Sequence, residues 1–228
     1  FQMYEKITAE NPYETPMRIF PATHYTMGGL WVDYNLMTTV DGLFALGEAN
    51  FSDHGANRLG GNALSEAVVF GIRCGAAVLG DAPATLGGSC FEMAAERVFR
   101  EIFSPGGAGG GRPPAGLRVL GEILWKNAGI IRSGASFKEA LSAVDGILDL
   151  FSGPGSWNPL IHPGSWQLRA AALTARSIIA SAVARTESRG AHFREDFPRE
   201  STEWIRNIHI SIGDSRLPEV GRIVEVSA

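Results

Sequence analysis

An α+β fold is predicted for this 228-residue chain: a sheet-containing first part followed by an antiparallel helical bundle. Three observations predict it. The apolar run Leu43-Phe44-Ala45-Leu46 is too short for a helix and ends at Gly47-Glu48, as a buried strand of a parallel sheet does. A glycine-rich loop then leads into an apolar helix from about Ala63 to Leu79, the strand–loop–helix order of nucleotide-binding sheets. After Gly80 the composition changes, and helical segments follow one another in series. The expected boundaries are 1–84 for the sheet-containing part, 85–200 for the helical part and 201–228 for a tail.

Taken in order, the polar, proline-punctuated residues 1–20 read as a helix end and loop. Leu30 to Val32 and Thr38 to Val40 are expected strands, with turns at Asp33 to Met37 and at Val40-Asp41-Gly42. The helix from Ala63 is apolar on most sides and is expected to be packed inside its domain, with Gly71 and Gly75 admitting a neighbouring backbone. Ser89 to Phe103 has the pattern of an amphipathic helix, and Ser104 to Gly116 has the composition of a flexible linker. Those linker glycines lack the lysine and the preceding strand of a phosphate loop. Leu117 to Ala128 is helical and stops at Gly129. Ser136 to Glu139 reads as a capping box, and Trp166 to Ser188 as a long helix ended by Gly190. Asn207 to Ala228 alternates like a hairpin around Gly213-Asp214.

Composition narrows the function classes. A hydrophobic share of 45% supports a sizeable core, and a net charge of -4 argues against nucleic acid as the main partner. Cys74 and Cys90 form no Cys-x-x-Cys pair, suit a reducing compartment and offer no zinc pattern. No uninterrupted apolar run approaches about 18 residues, so no membrane span is expected. The chain opens on Phe1 without a leader pattern and reads as a piece of a longer polypeptide.

The chemistry concentrates in the first part. His24-Tyr25-Thr26-Met27-Gly28-Gly29, then Gly47-Glu48, then His54 to Asn62 set a cation or hydrogen-bonding head, a carboxylate and a second, cationic head among glycines. Arg58 offers a planar fork matching a carboxylate bidentately, and His24 can donate to a second carboxylate. Glu48, at a strand end, can accept hydrogen bonds from ribose or ribityl hydroxyls; taken alone it reads first as a solvated loop carboxylate. Asn62 is a candidate N-cap, and the first helical amides near Ala63 and Leu64 are donors at the positive end of a dipole. A lone histidine or arginine here would be a structural group. Together the residues suit holding a small dianion against a flavin. His54 is expected to be structural.

Tyr4 to Gly71, above all His-Tyr-Thr-Met-Gly-Gly-Leu-Trp-Val-Asp-Tyr-Asn-Leu-Met from His24, resembles the flavoprotein subunits of succinate dehydrogenase and fumarate reductase, with their relative L-aspartate oxidase. Trp125 to Arg132 and Glu187 to Pro198 are similar to the helical-domain motifs of the same family. The resemblance implies the C-terminal part of a Rossmann-like FAD-binding domain, preceded by the end of a capping domain and followed by the helical bundle. It implies His24 and Arg58 as dicarboxylate ligands, Glu48 as an FAD ligand, and Asn62, Ala63 and Leu64 at the flavin. Ala63 stands where the family often has serine. The implied activity is succinate–fumarate interconversion by hydride transfer with FAD.

The resemblance further implies an iron–sulfur subunit and membrane anchor as partners, and a cytoplasmic location, peripheral on the inner membrane where such a complex forms. No catalytic residue and no metal ligand is assigned within these residues. The dinucleotide fingerprint, the flavin-attaching histidine and the proton-shuttling arginine of the family do not occur, so the 228 residues alone are expected to be inactive. The late motif, Glu187 to Pro198, is expected to brace the helical domain against the flavin domain. L-aspartate oxidase is the alternative, because Arg199-Glu200-Ser201-Thr202-Glu203-Trp204 replaces the acidic Arg-Asp-Asp run usual in the dehydrogenases. A third reading is an inactive family remnant that mediates contact with a partner.

Overall fold

A computed structural model describes residues 1–18, 22–51, 54–80, 92–96, 116–152, 163–213 and 217–225. They divide into two compact units, Phe1–Ala82 and Pro83–Ala228.

In the first unit, α1 (Gln2–Thr8) ends at Ala9, whose left-handed backbone (φ 59°) turns its amide onto the Glu5 carbonyl. The two expected turns form. Asp33 accepts the amides of Asn35 and Met37 on one carboxylate oxygen, at 2.8 and 3.0 Å. The Leu43 amide closes on the Val40 carbonyl at 3.0 Å. The expected strands shrink to single bridges, Leu30 with Asn50 in parallel and Met37 with Phe44 antiparallel. Because the Val40 turn folds the chain straight back, Leu43 to Ala45 pair antiparallel with Leu36 to Thr38, and among the described residues no parallel neighbour joins them. A short 3₁₀ turn, Gly47–Ala49, follows. Gly29 lies against it so closely that a Cβ would sit 2.3 Å from the Asn50 carbonyl oxygen, so only glycine fits.

The helix α2 (Asn62–Gly80) forms as expected, but it is not packed inside this unit. Only Glu66 and Cys74 are buried, while Leu64, Ile72 and Leu79 are 77%, 73% and 88% exposed. The core here is small: Val32, Leu36, Ala45 and Cys74, flanked by Phe44 and Phe70. No backbone closes on Gly71 or Gly75 among the described residues, which corrects that expectation too. With only Glu66 and Arg73 charged, this 19-residue helix is long and apolar enough to cross a membrane by length and composition. The sequence reading, which counted uninterrupted apolar runs, missed this.

In the second unit, α3 (Gly116–Ala128), α4 (Gly134–Asp149) and α5 (Pro163–Ala184) share one core. Phe137, Ala140, Val144 and Leu148 recur on one face of α4, and Leu168, Ala172, Ala175, Ile179 and Ala182 on one face of α5. Alanines at three of the five α5 positions let the helices approach closely. Arg176 of α5 ties Asp145 of α4, at 2.7 Å, to the Pro218 carbonyl. Residues 92–96 are helical; the remainder of the expected Ser89–Phe103 helix, and linker residues 104–115, lie outside the described residues.

Three helix boundaries differ from expectation, and the residues around β2 account for two of them. Ile131–Arg132 (β1) pairs in parallel with Phe193–Arg194 (β2), so Ser133 is the last extended residue and caps α4. Its capping box partner is Ser136, not Glu139: the Ser136 amide donates to the Ser133 hydroxyl at 3.2 Å, and the Ser133 amide to the Ser136 hydroxyl at 3.0 Å. α5 starts three residues early and stops at Ala184, where the buried Arg194 guanidinium donates to the carbonyls of Ala182, Val183 and Arg185. Gly190 sits in the Arg189–His192 turn rather than at the helix end. The expected hairpin forms from β3 (Arg206–Ile212) and β4 (Pro218–Glu225), antiparallel with an irregularity at His209/Ile210.

Among the described residues, the contacts of the late motif lie inside this second unit. Glu187, with no exposed surface, accepts from Arg185 (2.7 Å), Arg189 (2.8 and 3.0 Å) and the Ser201 amide (2.8 Å). Arg194 grips Asp196, which also accepts the Gly134 amide at 3.0 Å, binding the start of α4 to the end of α5. The Arg194 hydrogen bonds hold the Asp196 carboxyl at about 2, below its ordinary 3.8, with the Gly134 amide assisting and burial opposing. A depressed carboxyl contributes stability above its unfolded value and loses it as pH falls through the folded one. Asp196→Asn is therefore expected to lower the denaturation midpoint at neutral pH, with the gap to wild type closing between pH 3.8 and about 2.

Candidate functional site

The residues singled out by sequence all lie in the first unit. The pairing of Leu30 with Ala49 and Phe51 carries the segment 24–29 across the 3₁₀ turn. Glu48 is thereby brought to Thr26, whose amide donates to one of its carboxylate oxygens at 2.8 Å. The other oxygen takes no hydrogen bond among the described residues and Glu48 is exposed, so it retains acceptor capacity.

Arg58 folds over the Tyr25 ring, its guanidinium carbon 4.6 Å from the ring centroid. This sets it beside the residue next to His24. His24 itself is exposed, and among the described residues no hydrogen bond joins it to Arg58. Among the described residues Arg58 makes one hydrogen bond, a long one of 3.4 Å to the Leu59 carbonyl. Its Nε is buried and meets no acceptor among the described residues. A buried charged donor left unpaired is costly, and an anion resting on the guanidinium would relieve that cost.

The start of α2 differs in detail from the sequence reading. Asn62 is the first helical residue instead of the N-cap, its amide donating to the Leu59 carbonyl at 3.2 Å. Gly61, with φ +82°, occupies the preceding position, which a side chain would strain. The Leu64 and Ser65 amides both turn onto the Gly61 carbonyl, so Leu64 is partly spent inside the helix, whereas Ala63 makes no such bond. A Cβ added at Gly60 or Gly61 meets nothing within 4 Å, which leaves open space beside the helix start.

Two residues that the sequence reading passed over complete the cluster. His54 Nε2 stands 2.6 Å from Glu66 Oε2, with side chains 1% and 4% exposed, in keeping with a structural His54. Tyr25 lies edge-on to the His54 ring, centroids 5.5 Å apart, and its hydroxyl reaches Glu66 at 3.5 Å. Burial pushes the Tyr25 phenol up; the Glu66 and Glu48 carboxylates act in the same direction, and Arg58 opposes them. The available signal was Glu66 itself, the sole carboxylate of an otherwise apolar helix, which needs a partner wherever it is buried.

These contacts set the Arg58 fork on the Tyr25 ring and hold Glu48 at Thr26, with an open glycine loop at the start of α2. Residues 2–64 match the family described as FAD binding domain, and residues 118–220 that described as fumarate reductase flavoprotein C-term. The chain is 32% identical over 220 residues to the succinate dehydrogenase flavoprotein subunit of Bacillus subtilis, covering 90% of this chain and 37% of that protein. It is 38% identical over 194 residues to the L-aspartate oxidase of Rhodospirillum rubrum, with coverage of 82% and 61%. Among solved structures, an E. coli quinol fumarate reductase chain superposes with a TM-score of 0.80 at 25% identity, over 99% of this chain and 40% of that one. The chain thus spans less than two thirds of each of these relatives.

Proposed function

Because the chain belongs to the family of succinate dehydrogenase and fumarate reductase flavoproteins, with L-aspartate oxidase as a relative, we propose that its first unit holds FAD and grips a small dicarboxylate beside it. The observation that carries the proposal is the buried, acceptor-free Nε of Arg58 next to the His24-Tyr25 segment. The residues present fit the cofactor: Glu48 keeps an acceptor oxygen for its hydroxyls, Asn62 and Ala63 stand at the helix start, and the glycines before them leave space. When bound, FAD supplies the hydride acceptor or donor.

The chain's own residues bind and orient. Arg58 engages one substrate carboxylate through its fork and His24 donates to the other, fixing the carbon skeleton between them. The Ala63 amide, and Leu64 to the extent that its bond to Gly61 allows, place the positive end of α2 where negative charge gathers. Glu48 fixes the 26–29 segment through Thr26 while accepting from the cofactor. The reaction proposed for the whole protein is succinate–fumarate interconversion. An iron–sulfur subunit and a membrane anchor are the proposed partners, with a location at the cytoplasmic face of the inner membrane.

L-aspartate oxidation is the second reading, favoured by the 38% identity to the Rhodospirillum rubrum enzyme and by the Arg199 to Trp204 segment. Dye reduction by the parent flavoprotein with succinate and with L-aspartate separates the two. Turnover of succinate alone is expected, and turnover of aspartate to an imino product would remove the succinate reading. The 228 residues alone are expected to reduce no dye with either substrate.

A further inference from the structure

We propose that Tyr25 is the positioning residue of the dicarboxylate clamp: its ring sets the direction of the Arg58 guanidinium, and the buried His54–Glu66 pair fixes the ring. The proposal rests on the dicarboxylate reading above and adds to it what orients the cation.

Arg58 sits in a glycine-rich loop, on a side chain with several rotatable bonds, held by one long hydrogen bond to the neighbouring carbonyl. That bond is too weak to choose a direction. The close partner of the guanidinium is the Tyr25 face, at 4.6 Å. A ring face attracts a cation and presents no acceptor, so it can orient Arg58 without occupying the N–H groups that a carboxylate needs. A carboxylate in its place would fix the arginine equally well and would also consume the fork. The buried Nε without an acceptor matches this arrangement.

The ring in turn is held from two other segments. His54, from the same loop as Arg58, packs edge to face with it. Glu66, from α2, takes its hydroxyl at 3.5 Å and pairs with His54 at 2.6 Å. The His54–Glu66 pair thus joins loop, helix and the 24–29 segment at the level of the ring, and Arg58 lies on the ring as the outer member. Most of the hold comes from the ring and little from its hydroxyl, because the hydroxyl bond is at the limit of useful length.

The test uses the FAD-loaded protein with malonate, a diacid that lacks the adjacent methylene pair oxidised in succinate. Two quantities are read: the malonate Kd from the flavin spectrum, and the Arg58 Nε–H resonance, assigned by its loss in Arg58→Lys. In wild type the resonance is expected upfield, under the ring current. Tyr25→Phe is expected to keep that shift and a Kd within about threefold of wild type. Tyr25→Leu is expected to lose the shift and raise Kd about 3- to 30-fold, with FAD affinity unchanged. A wild-type resonance without ring-current shift, or a Tyr25→Leu protein that binds malonate like wild type, overturns the proposal. If Tyr25→Leu does not fold, the wild-type resonance and the Tyr25→Phe pair still decide. A wild type that ignores malonate sinks the dicarboxylate reading instead, and the resonance then settles separately whether Tyr25 orients Arg58.

Discussion

Glu187→Ala is expected to destabilise the second unit by about 3–5 kcal/mol, the cost of breaking a buried ion pair from one side. The carboxylate has no exposed surface and holds Arg185, Arg189 and the Ser201 amide at 2.7 to 3.0 Å. Its removal takes from the Arg185 and Arg189 guanidiniums the carboxylate they share. Arg185 also donates to the Trp204 and Arg206 carbonyls, and Arg189 to the Ser201 carbonyl, so the connection between α5 and β3 loosens with it. Denaturant midpoints at unchanged slope measure the loss. Glu122→Ala, which removes an exposed partner of Arg118, is the control and should shift stability by well under about 1 kcal/mol. A Glu187→Ala midpoint equal to that control would refute the assignment. Acid should mimic the mutation. Burial alone would raise the Glu187 carboxyl, but the bonds from Arg189, Ser201 and Arg185 outweigh it and leave it below its ordinary 4.5. Its contribution is complete above that value and fades as pH drops below it.

Arg58→Met should weaken binding of succinate or malonate by about 10²–10⁴-fold while leaving FAD bound. Two charge-assisted hydrogen bonds are worth roughly 3–6 kcal/mol together, and each 1.4 kcal/mol is about tenfold in affinity. Methionine retains the packing over Tyr25 and removes only charge and donors, so stability should hardly change. Lysine restores charge without the fork and should recover part of the loss. Titration of the flavin spectrum reads all three proteins; a methionine variant with wild-type affinity would end Arg58's role.

Local signals in the sequence proved legible where one rule acts alone. The hairpin of β3 and β4, the turns at Asp33 and Val40, and α3 with its stop at Gly129 stand where spacing and turn residues place them. Errors arose where a distant residue decided. Ser133 displaces Ser136 as cap because β2, some sixty residues on, keeps Arg132 extended, and α5 stops short because Arg194 takes its last carbonyls. The site divides in the same way. His24, Glu48 and Arg58 are candidates that residue type and glycine neighbours suggest, whereas the platform under Arg58 depends on three segments meeting at Tyr25. Its one trace in the sequence is the carboxylate at Glu66.

The outward flank of α2 has a colloidal consequence. Leu64, Val68, Val69, Ile72 and Leu79 present hydrocarbon to water along the helix, relieved on the described face by little besides Arg73. In dilute buffer such a ridge favours clustering of molecules over dispersal, and added salt strengthens the tendency. Handling of the 228-residue chain is therefore governed by this hydrocarbon seam more than by its modest negative charge.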